Sequence, residues 1–343
     1  MALARCWLIF WCAGLLALAP AMAWAVAVAE SGATMAPGRQ HALEILALTD
    51  PDAALRGVEA ALPQAEATGD RRLIALLELA RANACRVRAD WACQLRAGAA
   101  ARAAATAAGE PLLMVRGLIA EARSRNALGD SNRAQRLLNE AEQLLEQTPD
   151  RELKADVQLA WSSISAAVGK HALALQYAQR GRAELGPEEY PPMQVRLLRN
   201  QARAHAMLGN SSAALQDLQQ AIWLLGRFTD PKLAAEIHLE RARIGRGIQD
   251  VPLQRESGER VLALGRQLKN TQLDGMGEET LALADLTEGQ TSAAIARLER
   301  ARGHFARLEL VRDELRVLRK LVGLRLDQGD DTATLTPLLR RMM

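Results

Sequence analysis

Aromatic residues make up only 3% of this 343-residue chain, and β-branched residues are sparse. That scarcity argues against sheets, whose strands draw on Val, Ile, Thr and aromatic side chains. Ala, Leu, Arg, Glu and Gln dominate instead, all good helix formers. Hydrophobic residues reach 49%, enough for a large core, so the expected fold class is all-α. Net charge is close to absent at +3, which gives no reason to expect nucleic-acid binding. Cysteine is equally scarce. Of four, Cys6 and Cys12 lie in the first apolar stretch, leaving Cys85 and Cys93, too few for a metal site built of cysteines alone. The five histidines form no i,i+4 pair, and no metal or other cofactor is expected.

Long apolar runs are missing everywhere beyond Glu30, so no span of a bilayer is expected there. The N-terminus is the exception. "MALAR" carries one positive charge, "CWLIFWCAGLLALA" is uninterrupted apolar sequence, and "PAMAWA" supplies small residues at a cleavage site. This is the three-part layout of a secretory signal peptide. The expected organisation is a signal peptide over 1–25, a linker over 26–39 and a folded array over 40–343, with a periplasmic location after export. An uncleaved inner-membrane anchor is the competing reading, because Cys6 to Ala29 is apolar throughout and long enough to span. In an oxidising compartment Cys85 and Cys93 become a candidate disulfide.

What the sequence does have is a period of forty. Rows of that length, anchored on a glycine, place Thr49, Ala89, Gly129, Gly169, Gly209, Gln249, Gly289 and Gly329 in one column. Glycine is 24 of 343 residues, so eight positions should hold fewer than one, and five are glycine. Seven residues before the anchor stand Ala42, Ala82, Ala122, Ser162, Ala202, Ala242, Ala282 and Val322; twelve after it alanine recurs at 61, 101, 141, 221 and 301. The anchor glycine suits a helix end at positive φ. Asp70, Asp150, Asp230 and Asn270, nineteen before the anchor, suit helix N-caps. Pro111, Pro191 and Pro231 suit first helical positions. Each row therefore reads as a helix, a tight turn, a second helix and a short loop. Leu215, Leu218, Ala221 and Leu225 make an apolar stripe on one second helix. A lone helix pair cannot bury both faces, so the pairs must stack on neighbours.

The pattern Ala122, Gly129-Asp130, Ala134, Ala141, repeated as Ala202, Gly209-Asn210, Ala214, Ala221, resembles the tetratricopeptide repeat family. The resemblance covers about 40 to 343. It departs from the family in its longer period and in lacking most of the large aromatic positions. It implies a right-handed superhelical solenoid of about eight helix-turn-helix repeats whose concave groove recognises protein or peptide partners.

No catalytic constellation stands out. Gly169-Lys170 is followed by His171 where a phosphate loop needs Ser or Thr. "GRG" at Gly245 and "DGMGEE" at Gly275 lack the rest of a dinucleotide fingerprint, and both fall within expected helices. The carboxylates read as helix surface or caps. One column does suggest recognition. Six before the anchor stand Asn83, Arg123, Ser163, Arg203, Arg243 and Leu283, a position that in the family resembles one lining the groove. Arg199 and Asn200 lie a turn before Arg203 on its helix; Asn126 and Arg246 lie a turn after Arg123 and Arg243 on theirs. A basic groove would attract an acidic peptide or a carboxylate, which arginine meets with a bidentate fork. The lysine/asparagine clamp of chaperone-binding members is not reproduced.

The favoured reading is an exported, non-enzymatic solenoid for protein–protein recognition. The alternative, by resemblance, is the sensory input region of a membrane signalling protein of diguanylate cyclase or histidine kinase type, lacking its output half. An enzyme on a helical scaffold is the third class.

Overall fold

A computed structural model describes residues 43, 46–186, 189–228, 230–268, 270–308, 310–330 and 336–337. The expected signal peptide and linker lie outside the described residues. Within them the chain is all-helical, without strands. Fourteen helices follow one another: α1 (Pro51–Thr68), α2 (Arg71–Val87), α3 (Trp91–Ala108), α4 (Pro111–Ala127), α5 (Ser131–Gln147), α6 (Arg151–Ala167), α7 (His171–Glu184), α8 (Pro191–Met207), α9 (Ser211–Leu225), α10 (Pro231–Gly247), α11 (Val251–Gln267), α12 (Thr271–Thr287), α13 (Thr291–Arg307) and α14 (Val311–Asp327). They form two compact units, 1–160 and 161–343.

From the second row onward the tight turns close with the same backbone bonds. After α4, the amide of Gly129 donates to Asn126 O at 3.0 Å and the amide of Asp130 donates to Arg125 O at 2.8 Å. These are the paired bonds that close a helix when the residue after its cap is left-handed. Gly129 supplies that geometry with φ 88°. Asp130 then caps the next helix, its carboxylate accepting from Arg133 N. One Gly-Asp pair thus ends one helix and starts another. The anchor column from row two onward is a column of positive φ, including Ala89 (φ 59°) and Gln249 (φ 60°) where glycine is missing. The first row departs from it: Thr49 is still helical and Asp50 alone makes the connection, capping Ala53 N.

The loops between rows follow the other column. Asp70, Asp150, Asp230 and Asn270 each accept the amide three residues on. Pro111, Pro191 and Pro231 open α4, α8 and α10. The alanine columns are the seams. Ala122, Ala202 and Ala282 on first helices and Ala101, Ala141, Ala221 and Ala301 on second helices are all 0% exposed, so the helices approach to the width of a methyl group.

In the first unit α2 packs on α1, α3 and α4, α3 on α4, and α4 on α5. Val58, Leu77, Leu79 and Ala105 centre its largest cluster. In the second unit successive helices from α7 to α14 pack on one another, with first helices also meeting as α8 on α10 and α10 on α12. Its core runs through Val195, Leu198, Leu218, Leu224 and Ile237 and through Leu298, Phe305, Val317 and Leu321. Gly275 sits where a Cβ would meet the Phe305 ring at 2.8 Å. The "DGMGEE" stretch is therefore a packing surface inside α12, and "GRG" lies inside α10.

Cys85 at the end of α2 and Cys93 at the start of α3 form a disulfide across the second-row turn, with Cα atoms 5.8 Å apart. That is inside the span a disulfide needs. The bond straddles Ala89, the residue standing in for the turn glycine.

Candidate functional site

Arginine accumulates on two first helices of the second unit. On α8, Arg196, Arg199 and Arg203 fall at three- and four-residue spacing, which puts them on one stripe, and the helix contains no acidic residue. The neighbouring stripe, one residue back along the helix, with Val195, Leu198 and Ala202, is fully buried. On α10 the corresponding stripe carries Arg243 and Arg246.

The pairing of these cations is uneven. Arg199 reaches from α8 to Glu236 on α10 and keeps 26% of its side chain exposed. Burial pushes its guanidinium down to about 10, against Glu240, and Arg196, Arg203 and Arg243 push in the same direction. Burial is the larger cause of that lowering, and the three neighbouring arginines add to it because positive charge is concentrated on this face. Arg243 closes on Glu240 in its own helix at 2.7 Å. Arg203 and Arg246 are exposed and have no carboxylate partner among the described residues. Asn200 donates to Ser163 Oγ at 3.0 Å and Ser162 Oγ at 3.4 Å, tying α8 to the end of α6. These five residues belong to the second unit. Arg123 and Asn126 belong to the first, on α4. There Arg123 pairs with Asp156 and Asn126 accepts from Ser131 Oγ at 3.1 Å.

Next to the α10 arginines lies a cleft of about 320 Å³ lined from α10, α11, α12 and α14. Its apolar wall is Leu239, Ala242, Met276 and Leu283. Arg243 and Arg246 line it from α10, Glu279 from α12, and Asp313, Arg316 and Lys320 from α14. Glu279 accepts from Arg316 at 2.7 Å and from Lys320 at 2.5 Å. These cations outweigh its burial and hold its carboxyl below the usual range.

The sequence did not disclose this cleft, because its carboxylate Glu279 is buried, as are Glu278 and Asp285 on the same helix. Glu278, Glu279 and Asp285 on α12 are 5%, 7% and 2% exposed, which corrects the expectation that the carboxylates are surface or caps. Arg255 from α11 and Arg297 from α13 meet Asp285, while Arg297 and Arg300 meet Glu278. Their signal was position: Glu278 and Asp285 flank Leu281 at three- and four-residue spacing, on a helix buried on most sides.

A second polar cluster was also missed. Arg182 on α7 donates to Gln194, Gln201 and Gln220. Gln201 donates to Asp217 at 3.1 Å, and His205 Nε2 lies 3.8 Å from the same carboxylate. Burial pushes Asp217 up to about 6, against the pull of Arg182. Its members come from three helices, so no short motif marks it.

Among the described residues no three His, Cys, Asp or Glu side chains are grouped to hold a metal, and no helix is long and apolar enough to cross a membrane. Compared with known proteins, the chain matches no family model and no curated sequence.

Proposed function

We propose that this chain is a recognition protein that captures acidic peptide segments on the arginine face of α8 and α10, with no catalysis of its own. The observation that carries the reading is the pair Arg203 and Arg246, exposed and without a carboxylate partner among the described residues. Exposed guanidiniums without a carboxylate offer bidentate donors to an incoming one. The repeat pattern, with its Gly-Asp turns and alanine seams, supports a tetratricopeptide-like array of about eight helix pairs. By that resemblance the pairs wind in a right-handed sense and present the face as a groove. The N-terminal segment supports export to the periplasm with cleavage near residue 25, which N-terminal sequencing of the exported protein tests.

The binding test is fluorescence anisotropy with a Glu-rich peptide and its Gln-substituted counterpart. The Glu peptide should bind more tightly, and weaken as salt rises. Arg203→Glu should weaken it by about tenfold or more, given the strength of a charge-assisted pair. Arg260→Glu, on the exposed side of α11, should change it little. Equal losses from the two substitutions would reduce the effect to nonspecific charge and refute the reading.

A further inference from the structure

The cleft between α10, α12 and α14 differs from the arginine face in having a depth and an apolar wall. At about 320 Å³ it lies at the small end of ligand-binding pockets, about 300–1,000 Å³. Leu239 and Ala242 are buried, and Met276 and Leu283 partly so, giving one wall for a hydrocarbon body. Gln254 is 2% exposed, and its amide is spent on Thr280 O at 3.0 Å, so it closes that side without offering a charge.

The ionic lining is almost self-neutralised. Arg316 and Lys320 close on Glu279, Arg316 closes also on Asp313, and Arg243 closes on Glu240. Among the described residues Arg246 is the lining cation left over. A single unmatched guanidinium beside an apolar wall selects one kind of ligand. A cation is repelled, a neutral alcohol leaves Arg246 unmatched, and a dianion brings one charge more than the cleft can answer.

We propose that this cleft binds a small monocarboxylate with an apolar body, the carboxylate on Arg246 and the hydrocarbon against Leu239, Met276 and Leu283. The site goes beyond peptide capture. It shares Arg243 and Arg246 with the arginine face but makes no use of Arg203 or Arg199.

The test is calorimetry on the purified full chain with straight and branched monocarboxylic acids of about four to eight carbons, a length the cleft can hold. The matching primary alcohols and amines are titrated in parallel. At least one acid should bind saturably with one-to-one stoichiometry, and its alcohol and amine at least about tenfold more weakly. Arg246→Gln, at an exposed position, should lower acid affinity by about tenfold with an unchanged thermal melt. Leu283→Trp should block binding by filling the cleft. Arg203→Glu should leave acid binding intact while it weakens the Glu-rich peptide, so failure of either site is read separately. The proposal falls if no acid binds, if an alcohol binds as well as its acid, or if Arg246→Gln binds the acid as tightly as the parent.

Discussion

Gln249→Gly should stabilise the protein, and Gly209→Ala should do the reverse. Both residues occupy the same place in the repeat, the left-handed residue closing a first helix. Gln249 holds φ 60°, a conformation that costs a non-glycine residue about 1–2 kcal/mol. Its amide donates to Arg246 O at 3.2 Å, and the following Asp250 amide to Gly245 O at 2.8 Å, so the turn is held by the same bonds as its glycine counterparts. The side chain is exposed; removing it forfeits no packing. Glycine relieves the strain but adds about 0.5–1 kcal/mol of unfolded-chain freedom. The net expectation is a gain of about 0.5–1 kcal/mol. At Gly209, φ is 84° and a Cβ would meet nothing within 4 Å. Alanine there imposes the backbone cost alone, a loss of about 1 kcal/mol.

Urea unfolding followed by helical circular dichroism measures both, with m-values compared because stacked repeats add nearest-neighbour terms to stability. Hydrogen exchange at the Asp250 and Asn210 amides gives a local reading that does not depend on how many repeats unfold together. Asp250 should exchange more slowly in Gln249→Gly, and Asn210 faster in Gly209→Ala. A destabilised Gln249→Gly protein, or a Gly209→Ala protein equal to the parent, would show that the column is not governed by backbone conformation.

Three further outcomes are expected. Ala202→Leu should destabilise by about 1–3 kcal/mol, since Ala202 is fully buried between helices and a packed seam cannot widen for a larger side chain; thermal melts check it. Replacing Cys85 and Cys93 together by alanine should cost about 2–3 kcal/mol, the chain-entropy value for so short a loop, and reducing agent should shift the parent's melt toward that of the variant. Asp217, with a folded pKa of about 6 against an ordinary value near 4, keeps its proton in the folded state while the unfolded chain ionises. Stability from this residue is therefore full below about pH 4 and lost as pH rises through about 6, by up to about 3 kcal/mol; Asp217→Asn should flatten that part of the stability–pH curve.

The turns and seams were legible because both are set by backbone geometry, and backbone geometry repeats with the period. A glycine at positive φ, an aspartate accepting the first free amides and an alanine at a crossing leave the same mark in most rows. The columns failed where one row solves a crossing differently. Gly98 and Gly258 stand where other rows have the buried Leu138, Leu218 and Leu298. A Cβ on Gly98 would press on Ala120 and the Glu121 backbone at 3.1 Å, and one on Gly258 on Leu281 and Thr280 at 3.0 Å. These two rows also share Gln94 and Gln254 and the missing turn glycine, and the rows that follow them have Gly117 and Gly277 facing the equivalent residues Arg102 and Leu262. The residues are 160 apart, a longer repeat that a search for one residue type per column passes over.

Charge pairing was illegible for a different reason. A column says which face a side chain shares, but its partner stands on the next first helix. The separations are consistent: Arg123 to Asp156 is 33 residues, while Arg199 to Glu236 and Glu279 to Arg316 are 37. One repeat minus one or two helical turns thus joins these neighbouring first helices, while Glu279 to Lys320 is 41, one residue more than a repeat. The rule accounts for the unpaired arginines. Arg203 faces Glu236 and Glu240 at those two separations, and Arg199 and Arg243 already hold them. Arg246 faces Glu279, taken by Arg316 and Lys320, and Leu283, which is apolar. Two arginines thus stand in a register built for pairs after the carboxylates have run out. Their exposure is a product of the same geometry that pairs the others, and it is what an acidic ligand would complete.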